Sequence, residues 1–103
     1  MSEVHETAIA LRVLLSKPES WTQYALARDA QGDKVLWRSN TAVCWCVAGA
    51  LGVVSGSLYI KGAVWRAVYA LLDTDIDAWN DAPGRTHAEV LELLDRVVES
   101  TKE

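Results

Sequence analysis

Val4, Ala8, Leu11 and Leu15 recur at spacings of four, three and four, with Ile9 and Leu14 beside them, which predicts an amphipathic helix from near Ser2 to just before Pro18. From 21 to 37 that period lapses. The segment WTQYALARDAQGDKVLW holds a turn cluster over 29–33, with Gly32, between short apolar stretches, so a β-hairpin over 23–37 is expected. A helix over 20–28 competes, because Ala and Gln are weak strand formers. Residues 41–54, TAVCWCVAGALGVV, are apolar almost all the way round and predict a helix buried on every side, capped by Ser39 or Asn40. A bilayer needs about 20 such residues, so this run predicts a core helix and not a membrane span. Along it, Ala42, Cys46, Gly49 and Val53 form a stripe of mostly small residues that lets a neighbouring backbone approach closely.

Ser55-Gly56-Ser57 interrupts the chain, after which Ile60, Val64, Val68, Leu71 and Leu72 set out a third helix over 58–72. The acidic stretch 73–84, DTDIDAWNDAPG, reads as a loop with one helical turn around Ile76 to Trp79. Thr86-His87-Ala88-Glu89 then matches a capping box, in which the Thr hydroxyl and the Glu carboxylate each satisfy a free N–H at the helix start. Val90, Leu93, Leu94, Val97 and Val98 give that last helix its buried stripe. The expected architecture is mainly α: a compact bundle of about four helices around a buried central helix, 41–54, within a single domain spanning 1–103.

Composition narrows the function classes. Half of the 103 residues are hydrophobic and 23% are charged, as in ordinary globular domains. Five Trp stand against no Phe, so indoles carry the aromatic burial and their N–H groups need partners. The net charge of −4 and the lack of any Lys/Arg run argue against neutralising many nucleic-acid phosphates. No nucleic-acid partner and no membrane association are expected. Acidic residues stand where an export signal would be basic, which leads us to expect a cytoplasmic protein, and the apolar content and Trp count suggest a homo-oligomer. Cys44 and Cys46 point about 200° apart if helical, which predicts two buried thiols in place of a disulfide or chelate.

The familiar catalytic patterns are missing, and no cofactor or metal site is expected. His5 lacks a second His at helical spacing, and the apolar setting of Cys44 argues against its pairing with His87 as an activated nucleophile. The stretch 79–87 stands out. A helix starting at Thr86 offers free N–H groups and a positive dipole end, Arg85 and His87 add donors, Trp79 suits stacking, and Asn80 or Asp81 suits a sugar or base edge. Trp79, Asn80, Asp81, Arg85, Thr86 and His87 are therefore the candidate ligand-binding residues for a phosphorylated or nucleotide-like small molecule. Arg38 and Arg66 would join if the fold brings them near. The competing structural account has Trp79 in the core, Asn80 and Asp81 in side-chain turns, Pro83-Gly84 reversing direction, and Thr86 with Glu89 capping, which leaves only Arg85 and His87 unexplained.

The blocks WTQYALARD, AVCWCVAGAL and WNDAPGRTHAEVLELLD together resemble a family of short uncharacterised bacterial and phage-associated proteins with a C-terminal WND-x-PGRT-x-x-EVL-x-x-LD motif. The resemblance runs from about residue 14 to 98, and it implies no reaction. The leading expectation is a small non-catalytic binding protein, such as a sponge for a nucleotide signal. The alternative is a protein-interaction or inhibitor domain anchored by Trp21, Trp37 or Trp65. A small enzyme using His87, Asp81 and Cys44 or a Ser comes third.

Overall fold

The computed structural model describes residues 2–103 and is mainly α. Ser2 accepts the His5 N–H at 3.1 Å and starts helix α1, Glu3–Leu14, whose first turn carries Glu3 and Glu6 at the positive dipole end. A 3-10 turn, Pro18–Ser20, redirects the chain into two short strands, β1 (Ala27–Arg28) and β2 (Cys44–Trp45). Helices α2 (Val47–Val54), α3 (Leu58–Tyr69), α4 (Ile76–Asp81) and α5 (His87–Ser100) follow. The expected third helix stops at Tyr69, and Leu71 and Leu72 pack from the turn beyond it. No helix among the described residues is long and apolar enough to cross a membrane.

The predicted stripes become the core. Leu11 and Leu15 from the α1 segment, Ala50 and Leu51 from α2, Val64 and Val68 from α3, and Val90, Leu94 and Val97 from α5 form one cluster with Ile76. Each such Leu, Ile or Val contributes about 1.5–3 kcal/mol by leaving water. Arg12 and Asp95 add an ion pair at 2.7 Å between α1 and α5, the two helices that share the longest seam.

The central helix is shorter than its apolar run. Residues 41–46 are not helical: Cys44 and Trp45 are extended and pair antiparallel with Arg28 and Ala27. Val43 N–H donates to the Arg28 carbonyl at 2.9 Å, and Cys46 N–H to the Leu26 carbonyl at 3.3 Å. An unbroken apolar run carries no periodicity to separate helix from strand, so the distant partner decides. The cap also moves, since Ser39 closes a local turn with Thr41 while the Cys46 sulfur accepts the Gly49 N–H at 3.3 Å and starts α2. Val53 is exposed as α2 emerges toward the Ser55 turn, so the helix is not buried all round.

Within 23–37 the turn survives but the hairpin does not extend. Asp29 Oδ1 accepts the N–H groups of Gln31 and Asp33, Gly32 has φ +86°, and a lone bridge joins Arg28 to Lys34. The strand's main partner is β2. Gly49 is where this arrangement is tightest, because a Cβ there would overlap the Leu26 carbonyl oxygen.

Candidate functional site

Helix α4 presents the Trp-Asn-Asp triplet. Asp75 caps it by accepting the Ala78 N–H at 2.7 Å, and Ile76 is buried as its anchor. Asn80 is fully buried, and both ends of its amide are engaged: Oδ1 accepts Trp21 Nε1–H at 2.8 Å and the Val47 N–H at 3.1 Å, while Nδ2 donates to the Thr22 carbonyl at 3.1 Å and Asp81 Oδ1 at 2.9 Å. One side chain thus joins α4, the start of α2 and the segment after the 3-10 turn.

Its neighbours tighten the same joint. Gln23 Nε2 donates to the carbonyls of Asn80 and Ala82 at 3.0 and 3.1 Å. The Tyr24 N–H donates to Asp81 Oδ1 at 2.9 Å, and Tyr24 sits at φ +65°, a conformation that costs a non-glycine residue about 1–3 kcal/mol and persists only where surrounding bonds impose it. Arg28 braces the segment from behind through the Thr22 hydroxyl and the Gln23 carbonyl.

After Asp81 the chain reverses at Gly84, φ +80°, and enters α5. Thr86 and Glu89 form the predicted capping box, with Glu89 Oε1 accepting the Thr86 N–H at 2.9 Å and Thr86 Oγ1 accepting the Glu89 N–H at 3.2 Å. The Thr86 N–H holds the Glu89 carboxyl below the usual carboxylate range, with the Thr86 hydroxyl and Arg85 adding to the effect. Glu89 therefore sits at the helix end where an anion would seat. His87 turns the other way, donating from Nε2 to the Leu15 carbonyl at 2.7 Å with its ring 6.4 Å from Trp21.

Arg85 and Trp79 are the candidate pair that meet at an open surface. The guanidinium lies 4.0 Å over the Trp79 ring, Nε donates to the Trp79 carbonyl at 2.9 Å, and Nη1 lies 3.4 Å from Glu89 Oε2. Among the described residues, Nη2 makes no hydrogen bond. A cleft of about 220 Å³ opens here, with Leu71, Leu72, Trp79 and Leu93 as its apolar floor and Arg85, Glu89, Glu92 and Arg96 around it.

The six candidate residues thus divide. Trp79 and Arg85 share the cleft, Asn80 and Asp81 turn inward, Thr86 closes the cap and His87 faces α1. Arg38 lies 6.0 Å from the Trp37 ring centroid and Arg66 stands on α3, and neither lines the cleft. Arg96 lines it, and sequence reasoning missed it. The signal was there: Arg85, Glu89, Glu92 and Arg96 recur at spacings of four, three and four, one face of a helix.

The remaining chemistry-bearing groups lie elsewhere. Burial pushes the Cys46 thiol up, opposed by the N–H groups of Gly49 and Ala48. Cys44 lies 4.0 Å from the Arg28 carbonyl and is half-buried, so the two cysteines are free thiols engaged separately from His87. Asp77 has its carboxyl raised by burial and then by the charges of Asp81 and Asp75. No group of three or more His, Cys, Asp or Glu among the described residues is arranged to hold a metal ion.

Over residues 1–100 the chain matches the model of DUF6197, described as a family of unknown function. No curated protein and no solved structure matches it.

Proposed function

Because the chain belongs to this family, whose description lends no reaction, we propose from the geometry that it works by binding, and that the cleft over Trp79 captures a small ring-bearing anion of the phosphorylated or nucleotide-like kind. The observation that carries this reading is the guanidinium of Arg85, held over an indole in the wall of a cleft with one terminal nitrogen unspent. A guanidinium fixed by stacking and by the Trp79 carbonyl is already oriented, so less side-chain freedom is lost when an anion arrives.

Arg96 supplies a second cation from the next turns of α5, exposed and without an ion pair among the described residues. The apolar floor of Leu71, Leu72 and Leu93 favours a ring over a purely inorganic ion. Glu89 and Glu92 limit the charge that the cleft tolerates. At about 220 Å³ the cleft is smaller than the roughly 300–1,000 Å³ of drug-sized pockets, which suits one ring and one phosphate better than a dinucleotide. Capture without turnover, as by a sponge for a nucleotide signal, is the use that fits these parts.

The test is a thermal-shift and calorimetric screen of nucleoside monophosphates, cyclic nucleotides and inorganic phosphate. A nucleotide at about 100 times its Kd would stabilise the fold by about 2.7 kcal/mol. Arg96→Ala is the clean probe, since that side chain makes no hydrogen bond or ion pair within the described chain, whereas Arg85→Ala also removes a bond to the Trp79 carbonyl. Binding lost in Arg96→Ala with the melting temperature unchanged supports the reading. A flat screen, or binding indifferent to Arg96, overturns it.

A further inference from the structure

The charges around the cleft over Trp79 narrow the ligand further, on the footing of the binding reading above. The charged part of its lining is two guanidinium groups and two carboxylates, from Arg85, Glu89, Glu92 and Arg96, and the remainder is Trp79 and leucines. The four formal charges sum to zero. Histidine is the side chain most able to change such a sum near neutral pH, and both histidines lie outside the cleft, His5 on Thr101 and His87 on the Leu15 carbonyl.

Several of these groups are already committed. Glu89 Oε1 accepts the Thr86 N–H at 2.9 Å and Oε2 faces Arg85 Nη1 at 3.4 Å. With its carboxyl held below the usual range by the Thr86 N–H first of all, Glu89 takes up no proton at neutral pH to make room for added negative charge. The Thr86 and Glu89 N–H groups at the start of α5 are spent within the capping box, and Arg85 spends Nε on the Trp79 carbonyl. Among the described residues, what remains to receive an anion is Arg85 Nη2, with two N–H groups, and the guanidinium of Arg96, which forms no ion pair.

Fixed charges attract or repel a ligand in proportion to its own charge, so a lining that sums to zero gives a dianion little that it does not give a monoanion. The cost of drawing an ion out of water grows with the square of its charge. The balance therefore turns against a dianion, and the net charge of −4 on the chain acts in the same direction. We infer that the cleft selects phosphodiesters, which carry one negative charge, over phosphomonoesters, which carry nearly two at neutral pH. Its ligand class is then an esterified nucleotide, cyclic or linear.

Calorimetry at about pH 7.5, above the second phosphate pKa and without divalent cations, tests this on AMP, GMP, CMP and UMP, their 5′-methyl phosphodiesters and their 3′,5′-cyclic forms. The methyl ester removes one charge and leaves base and sugar in place, while the cyclic arm separates the two sources of a diester. For the base that binds, the diester should bind about tenfold tighter than the monoester. In Glu92→Gln the lining sums to +1 and the monoester gains about twice the attraction that the diester gains, so the gap should narrow by about threefold. Glu92→Lys should narrow it further. Glu92 is exposed and forms no ion pair among the described residues, so both variants should fold. Monoesters bound as tightly as diesters overturn the selectivity and leave the binding reading standing. A gap that neither Glu92 variant narrows also overturns it, because the preference would then follow shape. Failure of every probe to bind overturns both.

Discussion

Replacing Asn80 with Ala should produce the largest loss of stability available from one polar side chain in this protein. The substitution strands three groups at once: the Trp21 indole N–H, the Val47 N–H and the Thr22 carbonyl, all within a joint where Asn80 itself has no solvent exposure. A buried group left without a partner costs about 1–3 kcal/mol, so three give about 3–9. Water entering the vacated space recovers part of that. The net loss should be about 3–5 kcal/mol, a large share of the roughly 5–15 kcal/mol that holds a domain of this size together. Urea unfolding followed by Trp fluorescence reads it directly, as a lower midpoint with an unchanged slope. At about 4–8 °C per kcal/mol the melting temperature should fall by about 12–40 °C. A loss below about 1 kcal/mol with the slope unchanged would refute the reasoning. Asn80→Asp sharpens it, because the new carboxylate would face the Thr22 carbonyl and Asp81 where an N–H now donates. That raises the folded-state pKa of the new acid, so its penalty is absent at low pH and grows as pH climbs above the ordinary value of about 3.9. A difference from wild type that stays flat with pH would count against this placement.

Gly49→Ala should cost more than about 2 kcal/mol in the same urea assay, because the added Cβ meets the Leu26 carbonyl; a gain from Ala's better helix propensity would show the contact to be soft. Asp77→Asn should stabilise the protein at neutral pH, since burial and then Asp81 and Asp75 raise the folded pKa. The advantage should vanish as pH falls below the ordinary carboxylate range, and a constant advantage in pH-dependent melts would contradict it. Glu89→Gln should do the opposite. Glu89 has a lowered folded pKa, so its contribution is complete above the ordinary range for Glu and is lost as pH falls through the depressed value. The variant should therefore be weaker at neutral pH and converge on wild type in acid, whereas parallel pH curves would remove the carboxylate from the cap's energetics.

Periodicity made the bundle legible where one face of a helix meets one core. Val4 to Leu15, Ile60 to Val68 and Val90 to Val97 announced α1, α3 and α5, and the Thr86–Glu89 box announced the start of the last. The run 41–54 failed because its apolar residues fit a strand as well as a helix, and the deciding partner, Ala27–Arg28, lies well back in the chain. Cys46 as a cap was also hidden, because sulfur is a weak acceptor that cap rules do not favour. The candidate site was half legible. Trp79 and Arg85 are sequence neighbours that remain neighbours in space, whereas the bonds that turn Asn80 and Asp81 inward come from Trp21, Thr22, Tyr24 and Val47, distances that no local pattern encodes. Arg96 was within reach of the same periodicity that found the core, applied to charge.

The seam between α1 and α5 has a consequence for the order in which the protein is made. Leu11 and Leu15 leave the ribosome well before α5, yet their burial relies on α5, to which α1 is tied by Arg12–Asp95 and by His87 on the Leu15 carbonyl. At about 5–20 residues per second, the stretch from Leu15 to Leu94 takes roughly 4–16 s to synthesise. Through that interval the nascent chain holds out an apolar helix face with its main cover not yet translated. Chaperone demand should therefore track the rate at which α5 is delivered.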